Sequence, residues 1–105
     1  MHFIGVDLHK KSITACVLDE RQSVVARKTL FCVEPDQIVE FFRQFRPFQV
    51  VVEATASYLW FVELVEPLAE KVVLAHPKKL RVIAESTQKT DRLDAFVLAK
   101  FLAWE

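Results

Sequence analysis

The chain has 105 residues, enough for one domain with its own core, and its 52% hydrophobic and 27% charged content is that of a globular fold. Fourteen basic and fourteen acidic residues cancel to zero net charge, which excludes a uniformly basic nucleic-acid glove but leaves local basic patches open. An acid, Asp7, interrupts the first apolar run, and no run reaches the ~18 apolar residues of a membrane helix, so a cytoplasmic protein without a signal peptide or membrane partner is expected.

His2 to Leu8 reads as a short buried strand. Gly5, the single glycine of the chain, falls on the strand face that carries Asp7. A glycine there leaves room above the sheet, either for a ligand approaching the acid or for simple close packing. His9-Lys10-Lys11 forms a turn, and Ser12 to Leu18 a second strand. Asp19-Glu20-Arg21-Gln22 turns the chain into a third strand, Ser23 to Phe31. Three apolar runs joined by short polar turns predict an antiparallel meander, with turn types left open because no Asn-Gly or Asp-Gly pair is present. Cys16 and Cys32 lie in apolar segments without metal-ligand spacing and are expected as free thiols.

Pro35 suits a first helical turn, and Ile38, Val39, Phe41, Phe42 and Phe45 supply an apolar helical face that Pro47 closes. Gln49 to Glu53 is a β-branched run of the kind covered on both sides of a sheet, and an acid at its end is costly unless paired. A helix is expected from about Tyr58 to Ala69 and a short strand from Val72 to Ala75. His76-Pro77 breaks that strand, Lys78 to Ala84 is a short basic helix, and Glu85 to Lys89 is a polar loop. Trp60 and Trp104 are read as core or interface aromatics.

The last helical pattern opens on Thr90 with Asp91 and Asp94 behind it. Positions i and i+3 share a helix face, so both carboxylates project to one side. One acid suffices to complement the helix dipole behind a threonine cap; a crowded pair repels itself unless a cation sits between, the arrangement of a hard-metal site. The pattern runs into Phe101-Leu102-Ala103-Trp104-Glu105 without a stop residue, so the 105 residues are expected to be a single domain taken from a longer protein.

Three antiparallel strands followed by alternating β and α elements predict an α/β mixed sheet with helices on both faces, the plan of the ribonuclease H-like fold. A right-handed crossover would set the Val50–Glu53 strand parallel to the first strand and beside it. Asp7 and Glu53 would then end neighbouring strands at one edge, with Asp91 and Asp94 brought over it by the last helix. Four carboxylates converging from three segments are a candidate two-Mg²⁺ site for phosphodiester chemistry, with Mn²⁺ as substitute. His9, Lys10, Lys11, Lys78, Lys79, Arg81, Lys89 and Arg92 flank those acids and are candidate nucleic-acid contacts, as are Thr55 and Tyr58 after Glu53. Taken singly, each of these side chains also reads as an ordinary solvated or capping residue.

Gly5-Val6-Asp7-Leu8-His9-Lys10, Val52-Glu53-Ala54-Thr55-Ala56-Ser57-Tyr58 and Lys89-Thr90-Asp91-Arg92-Leu93-Asp94-Ala95 resemble the motifs of DEDD-type insertion-sequence transposases. Within them, the chain is most similar to the N-terminal RuvC-like domain of the bridge-RNA-guided recombinase branch. Ala56 departs from that pattern, which has glycine at this place. The resemblance implies that Asp7, Glu53, Asp91 and Asp94 form an acidic tetrad binding Mg²⁺. It implies a second domain carrying a serine nucleophile, so no serine of this chain inherits that role. It further implies DNA strand exchange for an insertion sequence, a structured guide RNA, homo-oligomeric assembly and a prokaryotic cytoplasm.

Other readings stay open at this point. A stand-alone metal-dependent nuclease or Holliday-junction resolvase needs the same tetrad and no second domain. A non-catalytic RNA or protein docking module needs neither metal nor cleavage. An ATPase of the actin and sugar-kinase superfamily also places an acid on its first strand, but one glycine cannot build its phosphate loops.

Overall fold

The computed structural model describes residues 1–53 and 57–75, together with Ala95 and Ala99 of a further helix. The elements run β1 (His2–Leu8), β2 (Ser12–Leu18), β3 (Val24–Phe31), α1 (Pro35–Arg43), β4 (Phe48–Glu53), α2 (Leu59–Val65) and β5 (Lys71–Ala75). The strands form one sheet in the order β3-β2-β1-β4-β5. β1, β2 and β3 are the expected antiparallel meander, while β4 lies parallel to β1 and β5 parallel to β4. This is a mixed α/β sheet of the ribonuclease H-like type.

Strand alternation divides the sheet into two differently built faces. Ile4, Val6, Ile13, Ala15, Val17, Leu30, Phe48, Val50 and Val52 point to one side and meet Ile38, Phe41 and Phe42 of α1 and Phe61 and Val65 of α2. Phe42 is the hub: its ring lies 5.5 Å from that of Phe48 and 5.6 Å from those of Phe41 and Phe61. On the opposite side Cys16 and Leu18 are buried under Ala95 and Ala99, with Phe3 packed against them. Helical cover on both faces explains why the β4 valines Val50, Val51 and Val52 are all fully buried. Both cysteines are free thiols, Cys16 buried and Cys32 partly so. Among the described residues no helix is long and apolar enough to cross a membrane.

Two boundaries differ from the periodicity. The helix expected over Tyr58–Ala69 ends at Val65, because Pro67 has no N–H to continue the ladder. Glu66 still donates to the Val62 carbonyl at 2.8 Å, and Leu68 closes a turn on Val65 at 2.9 Å. The helix at Pro35 stops at Arg43, so Phe45 lies outside it and packs its ring edge-on to His2 at 5.5 Å. The β2–β3 turn is settled by Asp19, whose carboxylate accepts from the N–H groups of Arg21 and Ser23, both at 2.9 Å. Those bonds hold Gln22 at φ 65°, a left-handed conformation unusual for a residue with a Cβ.

The close approach at Gly5 is packing. A Cβ on Gly5 would collide with the backbone of Ala95 and lie 3.0 Å from the Cα of Ala99. Alanines four apart present a shallow helix face, and the single glycine lets that face rest on the strand backbone.

Candidate active site

The site begins with strand register. Phe3, Gly5 and Asp7 oppose Leu18, Cys16 and Thr14 of β2. Phe3 and Gly5 lie beside Gln49 and Val51 of β4, and Val6 beside Val52. Carried one residue on, that register puts Asp7 on a level with Glu53, which itself pairs with Ala75 of β5. Adjacent strands lie about 4.8 Å apart, so the two acids share a rung and a face at the carboxyl ends of two parallel strands.

Cover on this face is graded. Leu18, Cys16, Gly5 and Val51 are buried on this face, whereas Phe3, Gln49, Thr14, Asp7 and Glu53 are only partly buried. The Asp7 side chain retains 14% exposure, with His9 Nε2 3.2 Å from Asp7 Oδ2. His9 owes its place to the tight turn, where its N–H donates to the Ser12 carbonyl at 2.8 Å. Lys10 and Lys11 occupy that turn and are exposed. Tyr58 sits half-buried at the N-terminal boundary of α2, without a side-chain capping bond.

Asp7, Glu53 and His9 are therefore brought to one end of one sheet face. Asp91, Asp94, Thr55, Lys78, Lys79, Arg81, Lys89 and Arg92 lie outside the described residues. Among the described residues, no group of three or more His, Cys, Asp or Glu side chains is placed to hold a metal ion. The donor chemistry of the acid rung nonetheless fits Mg²⁺, which takes hard oxygen ligands and is commonly held by one or two carboxylates with substrate phosphate and water completing its shell.

One neighbour of the site was missed by sequence reasoning. Thr14 shares the Asp7 rung on β2, and its Oγ1 lies 3.4 Å from Thr29 Oγ1 on β3. Polar residues at alternate positions of β2 were the available signal, but open turn types left the register unset. Ala95 and Ala99 were likewise legible only as small residues spaced four apart.

A family model described as a transposase, that of the IS110-type DEDD transposases, matches residues 4–105. No curated protein matches the chain. Membership ties the domain to DNA processing, with DNA as substrate. With a ribonuclease H-like sheet carrying Asp7 and Glu53 and nearly its whole length matched, the chain belongs to the IS110-type DEDD transposase family.

Proposed function

We propose that this chain is the metal-binding catalytic domain of a DNA transposase or recombinase, cutting and exchanging strands at a divalent-cation site built from Asp7, Glu53, Asp91 and Asp94. The observation that carries the reading is the parallel register of β1 and β4 up to Val6 and Val52, which sets the next residues, Asp7 and Glu53, on one level. Two like charges at one level repel, and a cation between them removes that cost. Asp94 is bonded directly to Ala95, whose backbone rests over Gly5, and Gly5 is two residues along β1 from Asp7, roughly 7 Å. Asp91 precedes Ala95 by four residues. Covalent reach thus favours convergence of all four acids on the open end of this face.

When bound, Mg²⁺ or Mn²⁺ supplies Lewis-acid stabilisation of charge on the phosphodiester oxygens. Asp7 and Glu53 orient that charge at the strand ends, and His9 holds the Asp7 carboxylate in position. Lys10 and Lys11, with the basic residues from Lys78 to Arg92, attract the DNA backbone toward it. The serine-bearing second domain, the guide RNA and the oligomer belong to the same reading and rest on family resemblance.

The test is thermal unfolding with and without metal. At ten times Kd, Mn²⁺ or Mg²⁺ adds about 1.4 kcal/mol, some 6–11 °C in Tm for a domain of this size. Asp7→Asn is expected to abolish that gain. A melting temperature indifferent to either ion would overturn the proposal of a site preformed in this domain.

A further inference from the structure

The site as described leaves β3 without a role, yet one of its faces has an unusual composition. Arg27, Thr29 and Phe31 occupy alternate positions there, opposite Cys16, Thr14 and Ser12 of β2. Directly opposed residues share a face, and the 3.4 Å approach of the Thr14 and Thr29 hydroxyls shows that they do. The file of three therefore lies on the side of the sheet that carries Asp7. All three residues are exposed, Phe31 to 54%, while Leu30 beside it is buried. The Cys32 N–H donates to the Lys11 carbonyl at 2.9 Å, so the Lys10–Lys11 turn adjoins the Phe31 end.

A cation, a hydroxyl and an exposed aromatic ring alternate along an outermost strand, with two lysines at one end and two carboxylates on the same face. Val24, opposite Leu18 at the other end of the same face, is exposed as well, but Arg27 between these apolar side chains and the two lysines beside Phe31 suit a polyanion better than an apolar protein partner. A polyanion with unstacked bases matches it: aromatic rings stack bases of any sequence, while Arg and Lys take the phosphates.

We propose that Arg27, Thr29 and Phe31, together with the Lys10–Lys11 turn, form a landing track for an unpaired nucleic-acid strand running past the acid rung, level with it at Thr29. Phe31 stacks a base, and Thr29 and Arg27 hold the backbone over the roughly 13 Å that four strand residues span. The direction of the track rests on the catalytic reading above; its existence does not, because stacking and phosphate contacts need no metal.

The experiment is fluorescence anisotropy of the chain with labelled single-stranded DNA, single-stranded RNA and duplex of about twelve nucleotides, all in EDTA. Binding is expected to favour single strands. Phe31→Ala is expected to raise Kd about tenfold, Phe31→Leu to do the same, and Phe31→Tyr to restore it. Arg27→Gln is expected to lower the slope of log Kd against log salt by about 0.7. Preference for RNA or for DNA identifies which strand is carried, and either supports the track. Parent-like binding by Phe31→Ala and Arg27→Gln, or no single-strand binding by the parent, would overturn it. So would loss of a dimer in Phe31→Ala with oligonucleotide affinity unchanged, which would make the strand an interface between copies. The Mn²⁺ melting shift, measured in parallel, fails or succeeds independently and reports only on the acid rung.

Discussion

Ala99 rests so closely on Gly5 that a Cβ added to the glycine would lie 3.0 Å from the Ala99 Cα, with the Ala95 backbone closer still. These atoms belong to a helix backbone, which cannot swing aside as a side chain end can. Gly5→Ala therefore has to lift the helix, with an expected loss of about 1–3 kcal/mol in urea unfolding. The same change uncovers Cys16, fully buried beneath Ala95 and Ala99. In the parent, Cys16 is expected to resist thiol reagents, and Cys32 to react slowly because burial pushes its thiol pKa up. Rapid labelling of Cys16 in Gly5→Ala would show that the helix has lifted; unchanged protection would show that the sheet yields instead.

Glu53 offers a second probe of the acid rung. Glu53→Gln removes one of two like charges at one level, worth about 0.2–1 kcal/mol. The metal-free variant is thus expected to melt at or slightly above the parent temperature. Its Mn²⁺-dependent gain should vanish. A variant that is less stable without metal yet still responds to Mn²⁺ would remove Glu53 from the candidate ligands.

The core should fail at one ring before any other. Phe42 is fully buried and meets Phe41, Phe48 and Phe61, so its loss opens a cavity bordered by three further aromatics. Phe42→Ala is expected to cost about 3–5 kcal/mol, much of the 5–15 kcal/mol that holds a domain of this size. Leu59→Ala, on the exposed side of α2, should change urea stability by less than about 0.5 kcal/mol.

Glu20 accepts a hydrogen bond from the Met1 ammonium at 2.9 Å. That bond, and the attraction of the same charge, hold its carboxyl below the usual glutamate value. A lowered folded-state pKa means the pair stabilises the fold above the unfolded value, and this contribution fades as pH falls through the folded value. The group is fully exposed, so the expected effect is a shifted Glu20 carbon titration with little change in Tm. Acetylating Met1, or adding 1 M salt as a screen of roughly 3 Å Debye length, should return that midpoint toward the other glutamates.

Much of this architecture was legible because it follows local rules. Alternation and short polar turns defined β1 to β3, the Gln49–Glu53 run marked a strand covered on both faces, and the handedness of crossovers placed it beside β1. Together these brought Asp7 and Glu53 to one edge. Apolar periodicity continues past Pro67 and overshoots the end of α2, where the missing N–H outweighs the pattern. Thr14 and Thr29 stayed hidden because hairpin register depends on turn geometry, here set by Asp19 and a left-handed Gln22.

What the sequence by itself determined is the order of the elements from β1 to β5 and the places of Asp7 and Glu53 on their strands, since periodicity, turn residues and family pattern are all encoded along the chain. Tertiary structure alone decided that the only glycine serves helix packing, that Thr14, Thr29, Arg27 and Phe31 share the face of Asp7, and that Asp7 and Glu53 keep part of their surface open there. Those relationships join residues distant along the chain through register and close backbone approach, neither of which any local stretch specifies.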